Sequence, residues 1–220
     1  MNWEKSSAST PLKRDFLKAF FEKEKRFFLT GGSALALFYL DHRKSYDLDL
    51  FSTHTIEWLE IDGWVKLCAQ NIKAELEVVR DAPAFRRYRL VREPDAEVVD
   101  IVLDVTNQMD DVKADVDGIM VDTMREIMVN KITTLIGRAE IKDIVDLFFL
   151  EKNGLRIEDH FEQAKLKDGG LDAGMMAMIL DSIKIAEAPD YMIKPVTLAE
   201  LNGYIHALKT RFLLMAHPDN

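Results

Sequence analysis

A chain of 220 residues with 48% apolar content suffices for one ordinary domain or two small ones packed together, and it buries a real core, which excludes fibrous, collagen-like and disordered classes. Lys and Arg number 29 against 38 Asp and Glu, so the net charge of −9 repels a phosphate backbone, and a nucleic-acid partner has to be held by a local patch. The single cysteine, Cys68, excludes an internal disulfide and a cysteine-rich metal cage, and is expected to be a buried core thiol. The opening MNWEKSSASTPLKRDF has no apolar signal core, and no window approaches the roughly 18 apolar residues of a spanning helix. The reading is a soluble cytoplasmic protein with no membrane partner.

Pro11 suits a first helical position, and Phe16, Leu17, Phe20 and Phe21 follow at helical spacing, which predicts an amphipathic front helix. Phe27-Phe28-Leu29 is a short strand-like run ended by Gly31-Gly32, after which Ser33 can cap a helix over 34–40. Residues 46–51 alternate, with Asp47 and Asp49 on one face and Leu48 and Leu50 on the other. A helical stretch from Trp58 to Cys68, with an interruption suggested at Asp62-Gly63, precedes three β-rich runs at 74–80, 85–92 and 97–105. In the last run Asp100 and Asp104 share a face. Asp117-Gly118 predicts a hairpin turn, and helices are expected over 123–137, 141–153, 158–166, 172–187 and 197–214. The texture changes near Thr123, from mixed to all-helical.

Three features converge on nucleoside triphosphate chemistry. A Gly31-Gly32-Ser33 turn at a helix start lets backbone N–H groups approach phosphate oxygens, and the helix dipole favours the anion. Asp47 and Asp49, at i and i+2 on a strand, project to one side and can share divalent cations that bridge phosphate oxygens. A third carboxylate on a neighbouring strand would complete the set, with Asp100 and Asp104 as the two candidates on one face. Each feature alone is common on ordinary folds; their strand, turn, helix, strand order makes the combination specific.

The residues Gly31-Gly32-Ser33 and Asp47-Leu48-Asp49 resemble the signature of the DNA polymerase β-type nucleotidyltransferase superfamily, and LTGGSALALFYLDHRKSYDLDLF (29–51) resembles the AbiEii/AbiGii-type toxins. Lys131, Arg138, Asp143, Asp146 and Leu147 resemble that family's later motif, so the match runs in order over roughly 29–150. The resemblance implies an α+β fold: a polymerase β-like nucleotidyltransferase core over 1–122, with a small mixed sheet flanked by helices, and a C-terminal helical bundle over 123–220 contributing to the nucleotide cleft. It implies Mg²⁺, with Mn²⁺ as an alternative, held by Asp47, Asp49 and Asp100 as catalytic residues. It assigns Gly31, Gly32, Ser33, Lys131, Arg138 and Asp143 to the nucleotide. Lys131 and Arg138, seven apart, fall on one helix face. Lys142 stands where the family usually has arginine before the aspartate, which keeps the charge but not the bidentate fork. Asp146 is read as an acceptor for Arg138.

The implied function is a toxin of a toxin–antitoxin or abortive-infection pair. It would move a nucleoside monophosphate from an NTP to a hydroxyl of a tRNA 3′ end or of a protein, releasing pyrophosphate, and a cognate antitoxin protein would be its partner. The alternative is a catalytically silent nucleotide-binding or protein-interaction module of the same fold. Arg86, Arg87 and Arg89 are read as a solvated strand face, with an RNA patch as the competing account. Arg43 is read either as a phosphate contact or as a solvated loop charge. The five histidines show no metal-ligand spacing, and Walker A, dinucleotide and Gly-x-Ser-x-Gly signatures are absent.

Overall fold

In the computed structural model, which describes residues 2–217, the Thr10 side chain accepts from the Lys13 amide and Pro11 takes the first helical position, so α1 runs Pro11–Phe21. Met1 and residues 218–220, the outer ends of the two expected spans, lie outside the described residues. The chain divides into two units, Met1–Thr123 and Met124–Asn220.

The first unit is built on a seven-stranded mixed sheet in the order β3-β4-β5-β2-β1-β7-β6. After α1 come β1 (Phe28–Thr30), the short helix α2 (Gly31–Ala34), which continues as a π-helical segment Leu35–Leu40, and β2 (Asp47–Ser52). Helix α3 (Trp58–Asn71) leads into β3 (Glu75–Ala82), β4 (Phe85–Arg92) and β5 (Asp95–Leu103), and the hairpin β6 (Ala114–Val116) and β7 (Ile119–Val121) closes the unit. Strand β2 is antiparallel to β1 and parallel to β5.

Period-two alternation gives this sheet two chemically different faces. Leu48, Leu50, Tyr88, Val99 and Ile101 are fully buried. Helices α1 and α3 cover that face: Lys13 of α1 pairs with Glu97 at 3.2 Å, and the Tyr88 hydroxyl donates to Asp62 of α3. The opposite face carries Asp47, Asp49 and Asp100. Cys68 is fully buried on α3, and burial pushes its thiol up to about 12, so it is an inert core residue as expected.

The second unit is helical: α4 (Met124–Gly137), α5 (Ile141–Lys152), α6 (Glu158–Lys167), α7 (Ala173–Ser182) and α8 (Leu198–Ala216). Ile127, Ile132, Ile144, Leu147 and Leu201 are fully buried, and Phe161 packs edge-on to Phe212 with ring centroids 5.1 Å apart. Thr197 and Glu200 form a reciprocal capping box at the start of α8.

Several boundaries differ from the sequence reading. Ser33 does not cap its helix. Gly31 takes φ +66° and turns the chain early, so Thr30 occupies the cap position and Ser33 lies inside the first turn. Helix α3 is continuous through Asp62-Gly63, because Asp62 is held by Arg86 and Tyr88 and nothing crowds Gly63. The helix expected over 172–187 ends at Ser182: Ile183 is extended (ψ 123°), and Ile185 is buried from irregular chain with its carbonyl accepting from Asn202 at 3.2 Å. Arg138 lies one residue past the end of α4 rather than on it. Among the described residues no helix is long and apolar enough to cross a membrane.

Candidate active site

Asp47 and Asp49 are two apart on β2, and Asp49 is in register with Asp100 on the parallel neighbour β5. Strand periodicity and register therefore place three carboxylates on one face, with one oxygen from each lying within 4.8 Å of the others. Asp47 and Asp49 are half-buried and Asp100 is buried. Like charges this close repel, by about 3 kcal/mol per pair at an effective dielectric near 20, and less where water screens them. A rigid, oxygen-only donor set of this charge fits a hard divalent cation such as Mg²⁺ or Mn²⁺.

The surrounding chain holds the carboxylates in place. Lys13 donates to the Ser45 carbonyl, and the Ser45 hydroxyl donates to Asp47 Oδ1 at 3.2 Å. The fully buried Ser33 hydroxyl donates to the Thr30 carbonyl at 3.2 Å and accepts from the Asp49 amide at 3.4 Å, tying the glycine turn to the carboxylate strand. At Gly31 a Cβ would lie 2.6 Å from Asp49 Oδ2, and at Gly32 it would collide with the Arg43 guanidinium. The two glycines thus give close backbone approach on both sides of the turn. Arg43 is buried and donates to the Lys44 carbonyl at 2.9 Å, so it is not a solvated loop charge.

Asp104 lies beyond the end of β5. Its Oδ1 accepts from the Thr106 amide at 2.9 Å and its Oδ2 from Gln108 at 2.8 Å, which makes it a turn-former away from the other three carboxylates. Arg87 was read as solvated, yet its guanidinium takes both oxygens of Asp100, Nε to Oδ1 at 2.7 Å and a terminal nitrogen to Oδ2 at 2.6 Å. Its hydrogen bond to Asp100, opposed by burial and reinforced by the charges of Asp100, Asp47 and Asp49, holds it above its ordinary value. Sequence arithmetic contained this pair: a tight turn pairing Arg92 with Asp95 also pairs Arg87 with Asp100.

In the second unit Lys131 is buried between two fully buried aspartates, with Nζ 2.7 Å from Asp143 Oδ1 and 2.6 Å from Asp146 Oδ2. Arg138 Nε lies 3.3 Å from Asp143 Oδ2, its side chain half exposed. Lys131, Arg138 and Asp143 therefore form one charge cluster. Asp146, read as an acceptor for Arg138, receives Lys131.

A family model described as nucleotidyl transferase AbiEii toxin, type IV toxin–antitoxin system, matches residues 15–204. The chain belongs to the AbiEii family. Among solved structures, one from H. pylori described as a "putative nucleotidyltransferase" aligns with a TM-score of 0.60 at 18% identity, covering 95% of each chain. JHP933 from Helicobacter pylori aligns at 0.57 and 18% identity, covering 94% of this chain and 93% of that one. At such identity the likeness is one of fold, and it agrees with the expected α+β nucleotidyltransferase architecture. No curated protein matches the chain.

AbiEii membership makes the protein a nucleotidyltransferase of the toxin–antitoxin class. Within that frame Gly31→Ala is expected to be damaging twice over. The backbone would be strained at φ +66°, costing about 1–2 kcal/mol, and the new methyl would push Asp49 Oδ2 aside. Thermal melting and Mn²⁺ titration check this: melting should fall by a few degrees and cation affinity should drop with it, and unchanged affinity would detach the glycine from the carboxylates.

Proposed function

We propose that the protein transfers a nucleoside monophosphate from an NTP to an acceptor hydroxyl and releases pyrophosphate. The observation that carries this reading is the convergence of Asp47, Asp49 and Asp100 beside a glycine turn, in an AbiEii chain. Asp47, Asp49 and Asp100 would hold Mg²⁺, or Mn²⁺ in its place. Bound there, the cation would act as a Lewis acid, offsetting the negative charge on the phosphoryl oxygens as it develops. The backbone amides of Gly31 and Gly32 would be offered to the triphosphate at the start of the helix. Ser33 serves by fixing the Asp49 strand against the turn. The acceptor hydroxyl gives up its proton to one of the site carboxylates as the bond to phosphorus forms. Because phosphoryl and nucleotidyl transfer need positioning and charge compensation more than covalent help from the protein, these groups suffice for the chemistry. Lys131, Arg138 and Asp143 remain assigned to the nucleotide as part of the proposal. For Lys131 this requires exchanging a carboxylate partner for a phosphate oxygen, whereas Arg138 offers a half-exposed guanidinium.

The acceptor is proposed to be a tRNA 3′ end, with a protein hydroxyl as the other arm, in a cytoplasmic toxin restrained by a cognate antitoxin protein. Incubation with each α-³²P-labelled NTP, Mg²⁺ and total tRNA, beside Asp47→Ala, tests it. Label in tRNA that vanishes in the variant is the expected result, and label on protein alone moves the acceptor to a side chain. No label with any NTP, together with nucleotide-dependent melting shifts, would replace transfer by binding alone.

A further inference from the structure

We infer that Arg87 is an internal counter-ion of the carboxylate site: it holds Asp100 while no cation is bound, and it competes with the cation for that carboxylate, so that loading the site displaces it. The inference rests on the reading of Asp47, Asp49 and Asp100 as metal ligands.

Asp100 stands between two strands of opposite charge. On one side β2 brings Asp49 in register, and on the other β4 brings Arg87 in register. Register partners emerge on the same face, and the guanidinium fork uses both Asp100 oxygens, at 2.7 and 2.6 Å. A bidentate guanidinium–carboxylate pair is among the stronger charge-assisted contacts. Here it also offsets part of the repulsion among three carboxylates gathered within 4.8 Å. A divalent cation seated among the same oxygens would bring two positive charges against the guanidinium. The fork and the cation cannot both keep their full hold on Asp100.

Burial decides which partner yields. The Asp100 side chain is 7% exposed and that of Arg87 41%. The carboxylate is fixed in the sheet, while the guanidinium sits half in water on a flexible stem. A resting place is already adjacent: Phe85, two residues earlier on the same strand face, has its ring centroid 5.7 Å from the Arg87 guanidinium carbon. The neighbouring Arg86 differs, pairing with Asp62 and Asp81 away from the three carboxylates.

The test is Mn²⁺ binding by the full-length protein without nucleotide, followed by electron paramagnetic resonance of the free ion, with circular-dichroism melting in parallel. Wild type should bind Mn²⁺ in a manner abolished by Asp49→Asn. Arg87→Met should tighten binding by about tenfold, as expected for removing one nearby, partly screened positive charge. Arg87→Lys, which restores the charge, should return binding close to wild type. Metal-free Arg87→Met should melt lower than wild type and gain more from Mn²⁺, because ligand linkage grows with affinity. Arg87→Gln removes the charge but keeps an amide donor for Asp100; it should also bind more tightly, and it carries the test if Arg87→Met does not fold. Binding that is unchanged or weaker in the charge-removing variants, while Asp49-dependent binding persists in wild type, overturns the counter-ion role and leaves the metal site standing. No Mn²⁺ binding in wild type or in either charge-removing variant overturns the metal reading and this inference together.

Discussion

Asp49→Asn is expected to lower nucleotidyl transfer by about 10³-fold or more, while the metal-free protein melts higher than wild type. Asp49 is the middle member of the carboxylate set, two residues from Asp47 along β2 and opposite Asp100 across the β2–β5 pairing. Neutralising it removes one of three converging charges, and on the proposed reading several kcal/mol of transition-state stabilisation would go with the cation it would help to hold. The same change relieves repulsion in the unliganded state. If about 1 kcal/mol of repulsion is relieved, melting rises by roughly 2–4 °C in a chain of this size. Opposite signs for activity and stability mark a group kept for function. Asp104→Asn provides the contrast, since its carboxylate only supports the Thr106 and Gln108 turn and transfer should be nearly unaffected. Transfer surviving in Asp49→Asn and lost in Asp104→Asn would relocate the site.

Lys131→Met should have the largest effect on stability. Its ammonium lies between Asp143 and Asp146, both fully buried, so its loss removes the buried positive charge between two carboxylates inside the second unit, with the half-exposed Arg138 still 3.3 Å from Asp143. Breaking a buried ion pair by removing one partner costs about 3–5 kcal/mol. That corresponds to a drop of roughly 10 °C in melting temperature. Adding Asp146→Asn to Lys131→Met should recover part of the loss, because one of the two buried negative charges disappears and the amide can still be hydrogen-bonded. Chemical denaturation of the single and double variants checks both steps. A Lys131→Met protein as stable as wild type would show that the cluster is not structural, and nucleotide titration of the same protein then measures what the lysine does for the ligand.

The sequence reading was most successful where the controlling interactions are local. The order of strand, glycine turn, helix and Asp-x-Asp strand is written in side-chain periodicity and in the backbone freedom of two glycines, both properties of a few consecutive residues. Thr10 and Pro11 start the front helix for the same reason, and Asp117-Gly118 turns the β6–β7 hairpin with both residues at positive φ. Family membership was also legible, because its motifs are local strings in a fixed order.

Other features depended on partners far away in the chain. Asp100 and Asp104 are equivalent by alternation, and only the end of β5 at Leu103 and the register of Asp49 with Asp100 separate them. Ser33 looked like a helix cap until the left-handed turn at Gly31 moved the cap to Thr30. Arg87 carries the same local pattern as an exposed strand arginine, and its partner lies on the next strand. The resemblance assigns Lys131 to the nucleotide, and its burial opposite Asp143 and Asp146 is set by how α4 and α5 pack. The sequence by itself therefore determined the elements, the carboxylate pair on β2 and the family, through periodicities and turn chemistry that act over a few residues. Tertiary structure decided the third carboxylate of the cluster, its arginine counter-ion and the buried charge cluster, because register and burial are set by pairings between distant segments that no local pattern encodes.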